Sequence, residues 1–174
     1  WSNVFLSQLE LTTDPVIDDF ESGLPETDES VPAPYGWIPF GGTIAANLVS
    51  EPASWLTPNQ AVSITFDIAG FGGISRIFKA ESQDWSSFEG ISFWVYGTNS
   101  GSDVNFQIFD NRGNPGTDSS ERWIVAPAFT DNFTGWQQVT LPFSSFVRNG
   151  WQPGGAPDDG LTLDEMWGYA IDIP

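Results

Sequence analysis

The sequence consists of short runs in which apolar and polar residues alternate, and this pattern constrains the fold more than any other feature. In residues 61–69 the apolar side chains recur at every second position, at Val62, Ile64, Phe66 and Ile68. A period of two places them on one face of a β-strand, whereas an amphipathic helix needs a period of about 3.6. Helical periodicity is nearly absent from the chain. The pattern therefore predicts an all-β protein with few or no helices.

The alternating runs are separated by Gly, Pro, Asn, Asp and Ser, which favour turns. Runs of this kind predict a β-sandwich or jelly roll of two antiparallel sheets, galactose-binding-like in architecture, with residues 1–174 forming a single module. The Pro-rich residues 23–39 predict a loop, and residues 84–88 and 143–146 each predict one helical turn. The predicted strands are residues 4–11, 16–21, 43–49, 61–69, 74–80, 90–96, 103–109, 122–126, 135–143 and 167–173.

The charge of the chain excludes one class of partner and disfavours another. The 174 residues include 23 Asp and Glu against 5 Lys and Arg, which gives a formal net charge of −18. A nucleic acid is excluded as a partner, because binding it requires basic groups that neutralise phosphates. An anionic membrane surface is disfavoured for the same reason, and no apolar run approaches the roughly 20 residues that span a bilayer. Such acidity is also typical of proteins from salt-rich surroundings, which suggests a marine bacterium as the source.

The residue types that most enzymes use are missing. The sequence contains no His and no Cys. This excludes Ser-His-Asp and Cys-His catalysis, imidazole zinc sites and disulfides. A glycosidase needs only two suitably spaced carboxylates, but the sequence locates no such pair. We therefore expect this chain not to be an enzyme.

The nine tryptophans are more than a sandwich of this size can bury. Trp37 and Trp151 lie next to Gly or Pro, where loops are expected. An exposed indole can stack on the apolar face of a sugar ring while polar side chains bind its hydroxyl groups. For each single tryptophan, a place in the core remains the alternative interpretation.

Three segments of the sequence point to a particular protein family more specifically than the alternating pattern does. They read VIDDFE at residues 16–21, DWSSFEGISFW at 84–94 and GWQQVTLPFSSF at 135–146. In this order, and with the Trp151-Gln152-Pro153 that follows, the chain resembles carbohydrate-binding module family 11 over residues 16–173. The resemblance implies a jelly roll that holds a β-1,3-1,4- or β-1,4-glucan chain in a concave cleft and carries structural calcium.

The sequence also resembles the extra C-terminal module of marine bacterial family 3 exo-β-1,3/1,4-glucanases. This implies a non-catalytic accessory module whose partners are a β-glucan and the catalytic domain of the same polypeptide. It also implies a location that is secreted, periplasmic or on the bacterial cell surface. One alternative is a docking domain that packs on the catalytic domain or mediates dimerisation without binding sugar. Another is an adhesion or surface-array repeat.

The resemblance implies specific binding residues as well. Arg148 falls at a ligand-binding Arg of the family, Phe40, Phe71 and Trp151 fall at binding Tyr positions, and Asp118 lies one residue from a binding Asp. The sequence departs from the family in the last cleft strand, where Trp167, Gly168 and Ala170 replace an Asp-Ser pair and a His. The complete predicted set of carbohydrate-binding residues is Trp37, Phe40, Phe71, Arg76, Gln107, Asp118, Arg122, Arg148 and Trp151.

Calcium is predicted at a cluster of acidic residues. Asp18, Asp19 and Glu21 offer the hard oxygen ligands that Ca²⁺ prefers, and the family places a carboxylate ligand at this strand start. Ordinary solvated carboxylates in a turn are the alternative interpretation.

The N-terminal residues raise a question of topology. The family closes with a strand that follows the segment ending here at Pro174, and a similar string, FLSQLEL, stands at residues 5–11 instead. We therefore predict that the strand within residues 1–12 takes the place of the closing strand, because an open sheet edge would expose unpaired backbone groups.

Overall fold

The computed structural model describes residues 2–12, 16–50 and 60–174. Within these ranges the chain forms β-strands and a single short 3-10 helix, which confirms the all-β fold. No helix in the described ranges is long and apolar enough to cross a membrane. The 3-10 helix spans Phe143–Ser145, and the strands are β1 Ser2–Leu11, β2 Val16–Asp18, β3 Gly36–Phe40, β4 Thr43–Ser50, β5 Gln60–Asp67, β6 Gly72–Ile77, β7 Gly90–Thr98, β8 Asp103–Arg112, β9 Ser120–Thr130, β10 Thr134–Pro142, β11 Val147–Arg148 and β12 Met166–Ile173.

The strands form two antiparallel sheets, as predicted. Sheet I has the order β10-β7-β1-β5-β4, with β2 paired to β1. Sheet II has the order β11-β9-β8-β12-β6-β3. The two sheets pack face to face, because each is apolar on its inner side.

The core between the sheets is rich in aromatic rings. Phe106 of sheet II stacks on Phe93 of sheet I at 5.0 Å between ring centroids, and on Tyr169 of its own sheet at 5.7 Å. Trp85 is 1% exposed and stacks on Phe143 of the 3-10 helix. Since rings of this size dominate the energetics of burial, these contacts fix how sheet II lies on sheet I.

Two strands of sheet II were not predicted. All but the last residue of β3 lie within the stretch predicted as a loop, and the strand contains Pro39. Proline is tolerated there because β3 is an edge strand, paired only with β6. β11 is two residues long and pairs with β9. Both strands border the site described below, so their omission affected the prediction of site residues.

The N-terminal strand β1 lies in the interior of sheet I. It pairs with β5 on one side and with β7 on the other. Its side chains Leu6 and Leu9 are fully buried and Leu11 is 2% exposed. The replacement of the family's closing strand by β1 stays a prediction, although β1 does close sheet I between two long strands.

Candidate functional site

The outer face of sheet II carries side chains that lie in register across its strands. One row runs from β3 to β9 through Ile38, Ser75, Ala170, Gln107 and Ile124, each opposite the next. A neighbouring row contains Ile77, Phe109 and Arg122. Because alternate residues of a strand face opposite sides, these side chains all point away from the core and together form a floor.

A cleft of about 580 Å³ lies over this floor. Phe40 and Phe71 line it near edge strand β3, and Asn149 and Trp151 line it beyond edge strand β11. Five spacings between six strands correspond to about 24 Å, which is long enough for an extended oligomeric ligand.

Aromatic rings stand at both ends of the cleft. Phe71 is 54% exposed and Trp151 is 65% exposed. The Phe71 ring leans on Phe40, with centroids 5.6 Å apart. Large apolar rings that remain exposed at a concave surface are characteristic of ligand contacts.

The half of the floor on β8 and β9 is polar. Arg122 Nη2 donates to both carboxylate oxygens of Asp118, at 2.9 and 2.8 Å. Its guanidinium group lies 3.5 Å from the ring centroid of Phe109. Burial lowers the pKa of Arg122 and the Asp118 carboxylate opposes this, but a guanidinium group stays charged in proteins. The pair therefore offers both a cationic donor and an anionic acceptor to a ligand.

The segment that carries Trp151 is fastened to β9. Arg122 N–H donates to Gln152 Oε1 at 2.8 Å, and Gln152 Nε2 donates back to the Arg122 carbonyl at 2.8 Å. Asn149 Nδ2 donates to Gln107 Oε1 at 3.1 Å, which ties the same segment to β8. Trp151 is thus an exposed side chain on an ordered backbone.

The half of the floor on β3, β6 and β12 is apolar except for Ser75. Its apolar side chains pack with Phe109 of β8 as one cluster separate from the core, whose other members are Ile38, Phe40, Ile77, Trp167 and Ala170. Trp167 and Ala170 are two of the residues by which the last cleft strand departs from the family. Between them, Gly168 is enforced by sterics, because a Cβ there would lie 2.1 Å from the Arg76 carbonyl oxygen.

Six of the nine predicted binding residues line the cleft together, namely Phe40, Phe71, Gln107, Asp118, Arg122 and Trp151. They come from strands β3, β8 and β9 and from three loops, so the fold alone brings them into one site.

Trp37 and Arg76 were predicted incorrectly as cleft residues. They lie opposite each other in register and point to the core face of sheet II. Trp37 is 7% exposed and packs edge-on against Tyr169. Arg76 Nε lies 3.5 Å from the Asp18 carboxylate. The neighbouring turn residues suggested a loop at Trp37, whereas the strand period places it inward.

Arg148 is also not among the residues that line the cleft. It lies opposite Trp123 in the β9–β11 pair, on the face away from Ile124. Its Nε donates to the fully buried Glu121 carboxylate and its Nη2 donates to the Pro157 carbonyl at 2.9 Å. Arg148 therefore neutralises a buried charge and holds the segment before β12.

Several cleft residues were missed by sequence reasoning. Phe109 and Ile124 could have been found, because they follow the alternation of β8 and β9. Asn149 could not, because its position depends on the pairing of β11 with β9. The other lining residues that were not predicted are Ile38, Gly41, Ser75, Ile77 and Ala170.

The three predicted calcium ligands do not converge. Asp18 accepts a hydrogen bond from the Tyr169 hydroxyl at 2.8 Å and faces Arg76. Asp19 accepts from the Glu21 N–H, and Glu21 accepts from the Gln60 N–H. Within the described ranges no three acidic side chains form a group that could hold a metal ion. These residues do not fit a calcium ion, and calcium binding by the chain stays a prediction that melting curves with and without EDTA would test.

The acidic groups in the cleft do not form a hydrolytic pair. Of the described residues that line it, only Asp118 carries a carboxylate. Hydrolysis of a glycosidic bond ordinarily requires two carboxylates flanking that bond. A long cleft with aromatic rings at both ends, on the outer face of one sheet, has the form of a ligand-binding site on a β-sandwich.

Comparison with known proteins identifies the family. Residues 11–174 match the carbohydrate binding domain of family 11, so the chain belongs to that family. The match excludes most of β1. No curated protein sequence matches the chain.

Two solved structures share the fold. One is the family 11 carbohydrate-binding module from Clostridium thermocellum in complex with a β-1,3-1,4-mixed-linked tetrasaccharide, with a TM-score of 0.67 and 23% identity over 97% of this chain and 87% of that one. The other is a solution structure of CtCBM11, with a TM-score of 0.61 and 20% identity over 96% of this chain and 91% of that one. These similarities confirm the predicted jelly roll.

Proposed function

We propose that this chain binds a β-glucan chain of mixed β-1,3-1,4 linkage along the cleft of sheet II. The observation that carries the proposal is the pair of exposed aromatic ends, Phe71 and Trp151, on either side of a floor with amide and charged groups. Aromatic faces match the C–H faces of sugar rings, and Gln107, Asp118 and Arg122 can bond to hydroxyl groups. The similar module in complex with a mixed-linkage tetrasaccharide supports this choice of ligand.

We also propose the context of the module. It would serve as a non-catalytic part of a β-glucan-degrading glycoside hydrolase of the exo-1,3/1,4 type, acting in the periplasm, at the cell surface or outside the cell. The absence of a carboxylate pair among the described cleft residues supports a role in holding substrate for a separate catalytic domain.

Substitution of the aromatic ends tests the proposal. We expect Trp151→Ala and Phe71→Ala each to weaken binding of a mixed-linkage tetrasaccharide by at least tenfold, because residues of this type act as binding hot spots. Isothermal titration calorimetry gives the affinity, and retardation in gels that contain barley β-glucan gives an independent measure. Trp136→Ala, which removes a half-buried indole on sheet I, is the matched control and should bind normally. Equal affinity of all variants would contradict the assigned cleft.

A docking role is the second candidate function. The apolar half of the floor, with Ile38, Ile77 and Ala170, offers a sugar only the side-chain hydroxyl of Ser75 and would equally suit a protein surface. If the wild-type chain is not retarded by any β-glucan, while its removal from the parent enzyme lowers activity, docking is the function.

A further inference from the structure

A carboxylate lies beside the floor of the cleft, on the same outer face of sheet II, without being exposed to solvent. Asp172, on β12, is fully buried and is not among the residues that line the cleft. It lies in register with Asn105 on one side and with Gly73 on the other. A Cβ at Gly73 would lie 2.5 Å from both the Phe40 ring and the Asp172 Cβ, so this glycine leaves the space that both side chains occupy.

Two amides donate to this carboxylate. Asn105 Nδ2 lies 2.7 Å from Oδ1, and Gln107 Nε2 lies 2.6 Å from Oδ2. Burial raises the pKa of Asp172, and these two donors oppose the rise because they favour the charged form. Since an ionised carboxylate can only accept, it directs the NH₂ group of Gln107 toward Asp172 and leaves the Oε1 atom facing Asn149.

The orientation of the Gln107 amide determines the hydrogen bonds of two further residues. Its Oε1 accepts from Asn149 Nδ2 at 3.1 Å. This bond turns Asn149 Oδ1 the other way, where it accepts the Trp151 backbone N–H at 3.0 Å. Three consecutive hydrogen bonds thus join a buried carboxylate to the backbone of the most exposed aromatic residue in the cleft.

We propose that Asp172 is a positioning residue for ligand binding, which fixes the amides of Gln107 and Asn149 and thereby the backbone that carries Trp151. The affinity part of this inference rests on the proposed function. If the Gln107 amide turns over, its NH₂ group meets that of Asn149. If Asn149 turns over in response, its NH₂ group meets the Trp151 N–H. One arrangement alone satisfies all three bonds, and Asp172 selects it.

Asn105 provides a matched control. It donates to the same carboxylate over nearly the same distance, but it does not line the cleft and does not contact Asn149 or Trp151. Asn105→Leu therefore removes an equivalent buried hydrogen bond from Asp172 while it leaves the Gln107 side of the network in place.

The test compares Asp172→Leu with Asn105→Leu, both nearly isosteric. We expect Asp172→Leu to bind the mixed-linkage tetrasaccharide about tenfold more weakly, because ligand binding must then order Asn149 and the Trp151 segment. We expect Asn105→Leu to bind within about twofold of wild type, even if both variants lose a similar amount of thermal stability.

Nuclear magnetic resonance gives a readout that stability alone would not change. In the ligand-free protein we expect Asp172→Leu to shift the Asn149 side-chain NH₂ signals and the Trp151 backbone N–H signal and to speed their exchange with water. Asn105→Leu should leave these signals in place. Unchanged Asn149 and Trp151 signals in Asp172→Leu would overturn the proposal, as would equal losses of affinity in the two variants.

The two proposals fail in different ways. If the wild-type chain binds no β-glucan, the proposed function fails, but the resonance comparison still decides whether Asp172 orders Trp151. If Asp172→Leu does not fold, Gln107→Met breaks the same series of hydrogen bonds at its next member. The resonance comparison is then made on that variant without ligand, so a direct contact between Gln107 and sugar does not affect the result.

Discussion

Single carboxylates hold several turns of this protein, and Asp131 is the clearest case. Its two oxygens accept hydrogen bonds from the backbone N–H groups of Thr98, Asn99 and Ser100 and from the hydroxyl groups of Thr98 and Ser100, at 2.7 to 3.1 Å. Burial by itself would raise the pKa of Asp131, but these donors together outweigh it and lower the pKa. The charged form of Asp131, in the connection between β9 and β10, therefore holds the turn between β7 and β8.

Replacement of Asp131 should cost stability in a pH-dependent way. Because the folded pKa is lowered, the stabilisation is present above the unfolded value of about 3.9 and is lost as the pH falls through the folded value. We expect Asp131→Ala to lower the free energy of unfolding by about 2 kcal/mol at neutral pH, and by less in strong acid. Urea titrations at each pH measure this difference.

A nearby acidic residue serves as the control. Asp103 is exposed and accepts one hydrogen bond, from Thr130 Oγ1 at 2.6 Å. Asp103→Ala should change the stability by no more than about 0.5 kcal/mol. If the two variants lose the same amount, the turn does not depend on the Asp131 network.

At the scale of elements, β1 connects the two halves of sheet I. Its residues Leu6, Leu9 and Leu11 are buried, and full burial of such a side chain contributes about 1.5–3 kcal/mol. Their sum is comparable with the whole stability of a typical domain, about 5–15 kcal/mol. Without β1, the facing edges of β5 and β7 would also lose their hydrogen-bond partner.

We expect deletion of residues 1–12 to abolish cooperative thermal unfolding of the isolated module. A peptide of residues 1–12 added in trans should restore the transition, whereas the same peptide carrying Leu6→Asp should not. Circular dichroism during heating measures both effects. Unchanged thermal stability of the truncated chain would show that β1 does not close the sheet.

The individual strands also show how much of the fold and of the cleft can be predicted from sequence patterns. Alternation within residues 103–109 puts Gln107 and Phe109 on the same face of the strand, and in the structure both line the cleft. The same rule would have placed Trp37 in the core, but Pro39 concealed the strand to which Trp37 belongs. Arg148 and Asn149 depend on the pairing of a two-residue strand, and no local pattern encodes such a pairing. The cleft is thus predictable in outline from strand periods, while its ends require the tertiary fold.

At the scale of the whole molecule, buried carboxylates and a large negative charge act in the same direction. The pKa of Asp110 is raised to about 7, because burial and, less strongly, the Glu121 carboxylate outweigh the opposing hydrogen bonds from Thr162 and Trp123. Burial also raises the pKa of Asp18 and of Asp172. A net charge of −18 adds repulsion at neutral pH.

These groups predict higher stability in mild acid. A carboxyl group whose folded pKa is raised binds its proton more tightly in the folded state, so stability is lost as the pH rises from the unfolded value toward the folded one. We expect the melting temperature to increase as the pH is lowered from about 8 to about 5. Asp110→Asn should reduce that increase, whereas Asp103→Asn should not. Differential scanning calorimetry between about pH 8 and about pH 5 measures the melting temperatures. A wild-type melting temperature that does not change with pH would contradict the prediction.

The place of β1 has a consequence for the order in which the chain can assemble. β1 is synthesised before both of its neighbours in sheet I, since β5 and β7 follow it by about 60 and 90 residues. Until then its leucines have no partner strand, so they remain available to chaperones or to other nascent chains. Contacts between residues so far apart in the chain also slow folding. We therefore expect sheet I to form only after β7 has been synthesised, because β1 needs both neighbours.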